Sequence, residues 1–194
     1  MTTDRYTVYD NIVPDFIQKE ILEGLSTTNF PWYYYPISIS DNDLTVLPLP
    51  GVDYHEQFVH GVVWENRPTN FDTYSLIKPL WLFFQNATGI EIKDLIRVKV
   101  NLLINKKELA DQYNVPHTDH EDPTVKTLLY YVNDSDGDTV LFDQVWPEKH
   151  INFTKLASIS PKKGRLVYFD AARWHASSNP VNTKARMIIN INFR

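Results

Sequence analysis

The chain contains no cysteine, which removes disulfide scaffolds, thiolate zinc sites, iron–sulfur clusters and cysteine nucleophiles together. Any metal must therefore be held by His, Asp and Glu. No apolar run approaches the ~18 uninterrupted residues that a membrane span needs. Met1-Thr2-Thr3-Asp4-Arg5-Tyr6 has no apolar stretch behind a basic start, so no secretory leader is expected either. Positive charge is not in excess: 19 Lys+Arg stand against 24 Asp+Glu, a formal charge of −5. Such a chain has no overall field to draw a phosphate backbone or an anionic membrane, so neither is an expected partner. A soluble, cytoplasmic protein is the expectation. Six glycines and twelve prolines are scattered without repeat, linker or low-complexity tract, which marks no domain boundary.

What is present is enough apolar matter for one core. At 194 residues, 43% hydrophobic and 13% aromatic, the chain is expected to fold as a single domain, 1–194, burying roughly 70% of its unfolded surface. Tyr6–Val13 reads as a strand and Asp15–Leu25 as a short amphipathic helix, its apolar residues recurring at helical spacing. Phe71–Ala87 reads as helical too, with Pro79 starting a new helix or kinking this one, and Gly89 as the stop. From Leu95 the period changes to two: Ile96, Val98, Val100, Leu102 and Ile104 alternate with Arg97, Lys99, Asn101, Leu103 and Asn105, a half-buried strand. Further strands are expected at Thr127–Asn133, Thr139–Gln144, Leu156–Ser160, Arg165–Asp170 and Ala185–Phe193, with turn residues between them. Helices first and many short strands after suggest a mainly β (α+β) fold, a β-sandwich or jelly roll with N-terminal helices packed on one sheet.

The densest run of metal-ligating residues is Val115-Pro116-His117-Thr118-Asp119-His120-Glu121-Asp122. In an extended chain His117 and Asp119 point to one side, so an imidazole and a carboxylate can reach the same ion. His175, beyond the strand ending at Asp170, is the candidate third ligand. Two histidines and a carboxylate leave other positions on the metal open, the arrangement of non-haem Fe(II) oxygenases. Arg186 opens the last, otherwise apolar strand, and a guanidinium that points inward there needs an anionic partner. A dicarboxylate bound to the metal at one end would supply it at the other.

In this order and spacing the chain resembles the Fe(II)- and 2-oxoglutarate-dependent oxygenases, in their prolyl-hydroxylase-like branch. The resemblance runs through His117-Thr118-Asp119, Leu128-Leu129-Tyr130-Tyr131-Val132-Asn133, the hairpin Asp136-Gly137-Asp138-Thr139, Trp174-His175 and Arg186. It implies a double-stranded β-helix, a cupin-like jelly-roll barrel with the site in its mouth. It implies His117, Asp119 and His175 as catalytic iron ligands and Arg186 as partner of the distal carboxylate of 2-oxoglutarate. Tyr131 would share that carboxylate, and Asn101 would stand near the proximal end of the cosubstrate. The implied reaction hydroxylates a substrate C–H bond with Fe(II), 2-oxoglutarate and O2, ascorbate being an optional auxiliary, and releases succinate. The hairpin departs from the family's usual Gly-Gly-Glu-Thr, and Lys106–Asn114 is a longer insert than the family implies.

The substrate, a protein, peptide or small molecule, is not encoded in any motif. Two other classes fit parts of the pattern: a non-catalytic jelly-roll binding or structural module, and a cupin-like zinc hydrolase or isomerase, neither of which requires Arg186. His55, His60 and His150 read as solvated surface groups, and His120 as a bystander of the metal loop. The run Trp32-Tyr33-Tyr34-Tyr35 reads either as a stacking platform or as an edge strand packing alternate rings on the core. Arg97 and Lys99 either line the pocket or point to water.

Overall fold

The structure, a computed structural model, describes residues 5–36, 56–110, 112–148 and 152–194. Over these the chain runs β1 (Tyr6–Tyr9), α1 (Asp15–Leu25), β2 (Tyr33–Tyr35), β3 (Gln57–Trp64), β4 (Arg67–Pro68), α2 (Phe71–Ile77), α3 (Pro79–Thr88), β5 (Leu95–Ile104), a 3-10 turn at Lys107–Leu109, β6 (Lys126–Tyr131), β7 (Thr139–Val145), β8 (Lys155–Ile159), β9 (Leu166–Asp170), β10 (Arg173–Ser177) and β11 (Ala185–Phe193). The expected helix across Phe71–Ala87 is two helices. Asn70 caps the first by accepting from the Thr73 N–H at 2.9 Å, and Pro79 begins the second, where its missing N–H costs nothing. Gly89, at φ 72°, closes α3 in the left-handed region that suits glycine.

Two antiparallel sheets face each other. The larger runs β1-β9-β6-β11-β5-β3-β2, with β4 added to β3, and the smaller runs β10-β7-β8. Strand alternation sorts the large sheet into two environments. One face sends Val98, Val100, Ile189, Ile191 and Phe193 against Ile21, Leu25, Ile77, Leu80 and Phe84 of the three helices. The other face sends Leu129, Tyr131 and Ile188 toward Leu141 and Ile159 of the small sheet. This is the expected jelly roll with helices on one sheet. At the open end of the inter-sheet layer the inward positions turn polar: Arg97, Lys99 and Asn101 on β5, and Arg186, Asn190 and Asn192 on β11.

His60 departs from expectation. It is 3% exposed, on the helix-facing side of β3, its Nδ1 3.0 Å from Pro31 O and its Nε2 3.4 Å from Thr73 Oγ1, with the Phe30 ring 4.7 Å away. The histidine is therefore a satisfied core residue rather than a solvated one, because both ring nitrogens find partners there. His55 and His150 lie outside the described residues. The aromatic run becomes edge strand β2, but only Trp32 packs on the core, beside Phe30. Tyr33, Tyr34 and Tyr35 are all exposed.

Candidate metal centre and cosubstrate cleft

The segment carrying His117 runs antiparallel to β10. His117 and His175 exchange both backbone hydrogen bonds at 2.9 Å, and the Asp119 N–H continues the pairing onto Ala171 O. This short ladder brings together residues distant in the chain and sets alternate side chains on one side, as the extended spacing implied. One nitrogen from each histidine and one Asp119 oxygen lie within 4.8 Å of one another. His175 Nδ1 is 2.9 Å from Arg173 O and His117 Nδ1 3.3 Å from Val115 O. A carbonyl only accepts, so each Nδ1 carries the proton and each Nε2 keeps a lone pair for a metal.

Asp119 is held in a closed ring of hydrogen bonds. Arg97 donates to its Oδ1 at 2.7 Å and to Asn192 Oδ1 at 2.9 Å. The Asn192 amide donates to Thr127 Oγ1 at 3.0 Å, and the Thr127 hydroxyl donates to Asp119 Oδ2 at 2.8 Å. Asn190 adds contacts to both oxygens, at 3.0 and 3.1 Å. Burial opposes ionisation of this carboxyl, but His175, Arg97, His117 and Lys99 outweigh it and hold Asp119 far below the usual carboxylate range. Arg97 thus lines the pocket instead of pointing to water. Thr127, Asn190 and Asn192 were absent from the expected site.

Arg186 stands across a narrow cleft lined also by His117, His175, Asn101 and Thr139. It is 2% exposed, and among the described residues no carboxylate lies within ion-pair distance of its guanidinium. Its Nε donates to Gly137 O and its Nη2 to Thr139 Oγ1, both at 2.7 Å. Burial, the largest influence, lowers its pKa from the ordinary value, against Tyr131 and Asp138. Tyr131 also donates to Thr139 Oγ1, at 2.7 Å. With both lone pairs of that hydroxyl occupied, its own proton remains for a group in the cleft. Thr139 is therefore the hydroxyl that faces the cleft beside Arg186, and Tyr131, fully buried, acts behind it. Asn101 is in the cleft wall, its amide donating to Gln57 Oε1 at 2.7 Å, while its Oδ1 meets no donor among the described residues. His120 lies on the adjoining groove and accepts the Asp122 N–H at 3.0 Å.

Two imidazoles and a carboxylate suit Fe(II), and an unpaired buried cation beside a free hydroxyl proton suits an acceptor-only carboxylate. Residues 104–194 match the family model described as the 2OG-Fe(II) oxygenase superfamily. No curated protein sequence matches the chain. Among solved structures, a prolyl-4-hydroxylase of Pseudomonas putida aligns over 99% of this chain and 94% of its own, at 12% identity and TM-score 0.58. A prolyl hydroxylase of Trichoplax adhaerens, in complex with a hypoxia inducible factor peptide fragment, covers 98% and 84%, at 14% identity and TM-score 0.59. The α-ketoglutarate-dependent epimerase SnoN from nogalamycin biosynthesis covers 98% and 78%, at 13% identity and TM-score 0.66. By sequence, residues 104–194 match the 2OG-Fe(II) oxygenase superfamily, whose chemistry requires Fe(II), 2-oxoglutarate and O2, and nearly the whole chain shares the fold of these solved structures.

Proposed function

We propose that the protein hydroxylates a C–H bond of a peptidyl residue or small molecule, coupled to decarboxylation of 2-oxoglutarate to succinate, at a centre formed by His117, Asp119 and His175. The observation that carries this reading is the pairing of that cluster with a desolvated, carboxylate-free Arg186 across the same cleft. A binding module has no use for the first, and a zinc hydrolase none for the second.

When bound, Fe(II) with 2-oxoglutarate and O2 supplies the oxidising power that a C–H bond requires. The protein's part is positional. The ring around Asp119 fixes its carboxylate before any metal arrives, so little reorganisation is left to the binding step. Arg186 and Thr139 hold the distal carboxylate, which fixes the direction of the cosubstrate toward the cluster. Leu103, Leu129 and Ile188 line the same cleft with apolar surface that keeps water from competing there. The hydroxylase neighbours favour a peptidyl substrate and the epimerase a small molecule, and the groove described below bears on that choice. Succinate release from 2-oxoglutarate with Fe(II) but not Zn(II) is the expected result. Turnover of an ester or sugar with Zn(II), and none of 2-oxoglutarate with Fe(II), would overturn it.

A further inference from the structure

A second cavity, of about 600 Å³, adjoins the metal cluster on the side away from Arg186. Asp119 and His120 form one end of it. Its floor is the inward face of β3 and β5, and its far wall carries Tyr33 and Tyr35 from β2 and Trp64 from β3. These three rings are 61%, 41% and 51% exposed and share one face of the sheet, as alternation along β2 and the register of β3 require. Between the rings lies Gly61. A Cβ placed there would meet nothing within 4 Å, so the floor is open above the glycine.

Resting on the oxygenase reading above, we propose that this groove binds the primary substrate, and that the substrate is a flat, ring-bearing small molecule rather than an extended peptide. Three observations select that occupant. The volume matches pockets that enclose drug-sized ligands, ~300–1,000 Å³. Three exposed aromatic rings line it, a residue type that stacks on planar groups. The floor strand β3 is hydrogen-bonded to β5 on one side and to β2 and β4 on the other, so it keeps no row of backbone groups for a peptide to pair with. Lys99 and Gln57 line both this groove and the cosubstrate cleft, so a ring lying over Gly61 borders the wall that the two cavities share. Arg97 joins groove to metal centre, since the guanidinium that borders the ring site also grips Asp119.

The test uses 2-naphthol as the flat probe and a capped proline–alanine tetrapeptide as the extended one, each followed by saturation-transfer NMR on the metal-free protein. The naphthol signal should be strong and the peptide signal weak. Gly61→Phe fills the open floor and should abolish naphthol binding while leaving the melting temperature and Mn(II) affinity as in wild type. Trp64→Ala, at an exposed position that does not threaten folding, should weaken it about fivefold. Adding Mn(II) should broaden the naphthol resonances in wild type, since the groove ends at Asp119. Naphthol binding that ignores both substitutions, or Gly61-dependent binding of the peptide alone, would overturn the proposal. Gly61-dependent naphthol binding without Mn(II) broadening would uphold the ring site and instead remove the metal assignment.

Discussion

Arg186 and Thr139 divide one task between them, and substitutions separate their shares. Truncating one partner of a desolvated charge pair costs ~2–5 kcal/mol, about 30- to several thousand-fold in affinity. Arg186→Ala should therefore abolish 2-oxoglutarate binding at ordinary concentrations, and Arg186→Lys, which keeps the charge without the fork, should retain part of it. A neutral hydroxyl donating to a carboxylate contributes less, about 1.5–3 kcal/mol. Because the Thr139 proton faces the cleft and that of Tyr131 is spent on Thr139, Thr139→Val should weaken 2-oxoglutarate more than Tyr131→Phe. Calorimetric titration of the two variants orders them, and a larger loss in Tyr131→Phe would show that Thr139 is only packing. The share of Thr139 was not evident from spacing, because a threonine among strand residues reads as ordinary β composition. Asn190 and Asn192 did leave a signal: asparagines at alternate positions of Ile-Asn-Ile-Asn, in so apolar a strand, mark a polar face turned inward.

The β6–β7 loop and the segment before β11 form a unit that seats Arg186. Asp136 accepts from the backbone N–H groups of Val181, Asn182 and Thr183 and from the side chains of Asn182 and Thr183. Burial disfavours this carboxylate, but those donors more than compensate and hold its pKa well below the ordinary value. A depressed folded-state pKa contributes stability that is present above the unfolded value, near 4, and lost as pH falls through the folded one. Asp136→Asn should thus lower the melting temperature at neutral pH, and the gap to wild type should narrow as the buffer is taken below pH ~4. A gap that does not change with pH would mean the loop is held by shape alone. Next to it, a Cβ on Gly137 would lie 2.4 Å from Ser178 O and 3.1 Å from Arg186 Cδ. Backbone cannot yield as a flexible side chain can, so Gly137→Ala should cost ~1–3 kcal/mol and loosen 2-oxoglutarate binding with it. Thermal melts with and without 2-oxoglutarate check both. Asp136, which departs from the hairpin pattern given above, and Gly137, which keeps it, are thus read as structural ties. Other elements differed in legibility for equally local reasons. β5 alternates from Ile96 to Leu102 and stood out. β3 carries a glycine and a register shift between Gly61 and Val63, which breaks the period. β10 alternates over only five residues, and its polar Arg173 and His175 are as buried as Trp174 and Ala176, so no solvent-facing side marks it.

At the scale of the whole molecule the two faces of the large sheet have separate duties. Phe84 of α3, fully buried, meets the rings of Tyr9, Tyr168 and Phe193 at 5.7, 5.8 and 6.3 Å, all on the face away from the metal cluster. Phe84→Ala should destabilise the fold by ~3–5 kcal/mol in denaturant titrations, while the fraction still folded binds Mn(II) as before. Reduced metal affinity in that fraction would mean the faces are coupled through β5 and β11. The place of β11 carries a kinetic consequence. It is hydrogen-bonded between β5 and β6, and every strand of the small sheet lies in the sequence between β5 and β11. Closing that long loop comes before the reward of pairing, which puts the protein among slow, millisecond-to-second folders. Until β11 docks, β5 and β6 each hold out an open, apolar edge to any neighbouring chain. Refolding yield should accordingly fall steeply with protein concentration even where the native state, once formed, is indifferent to it.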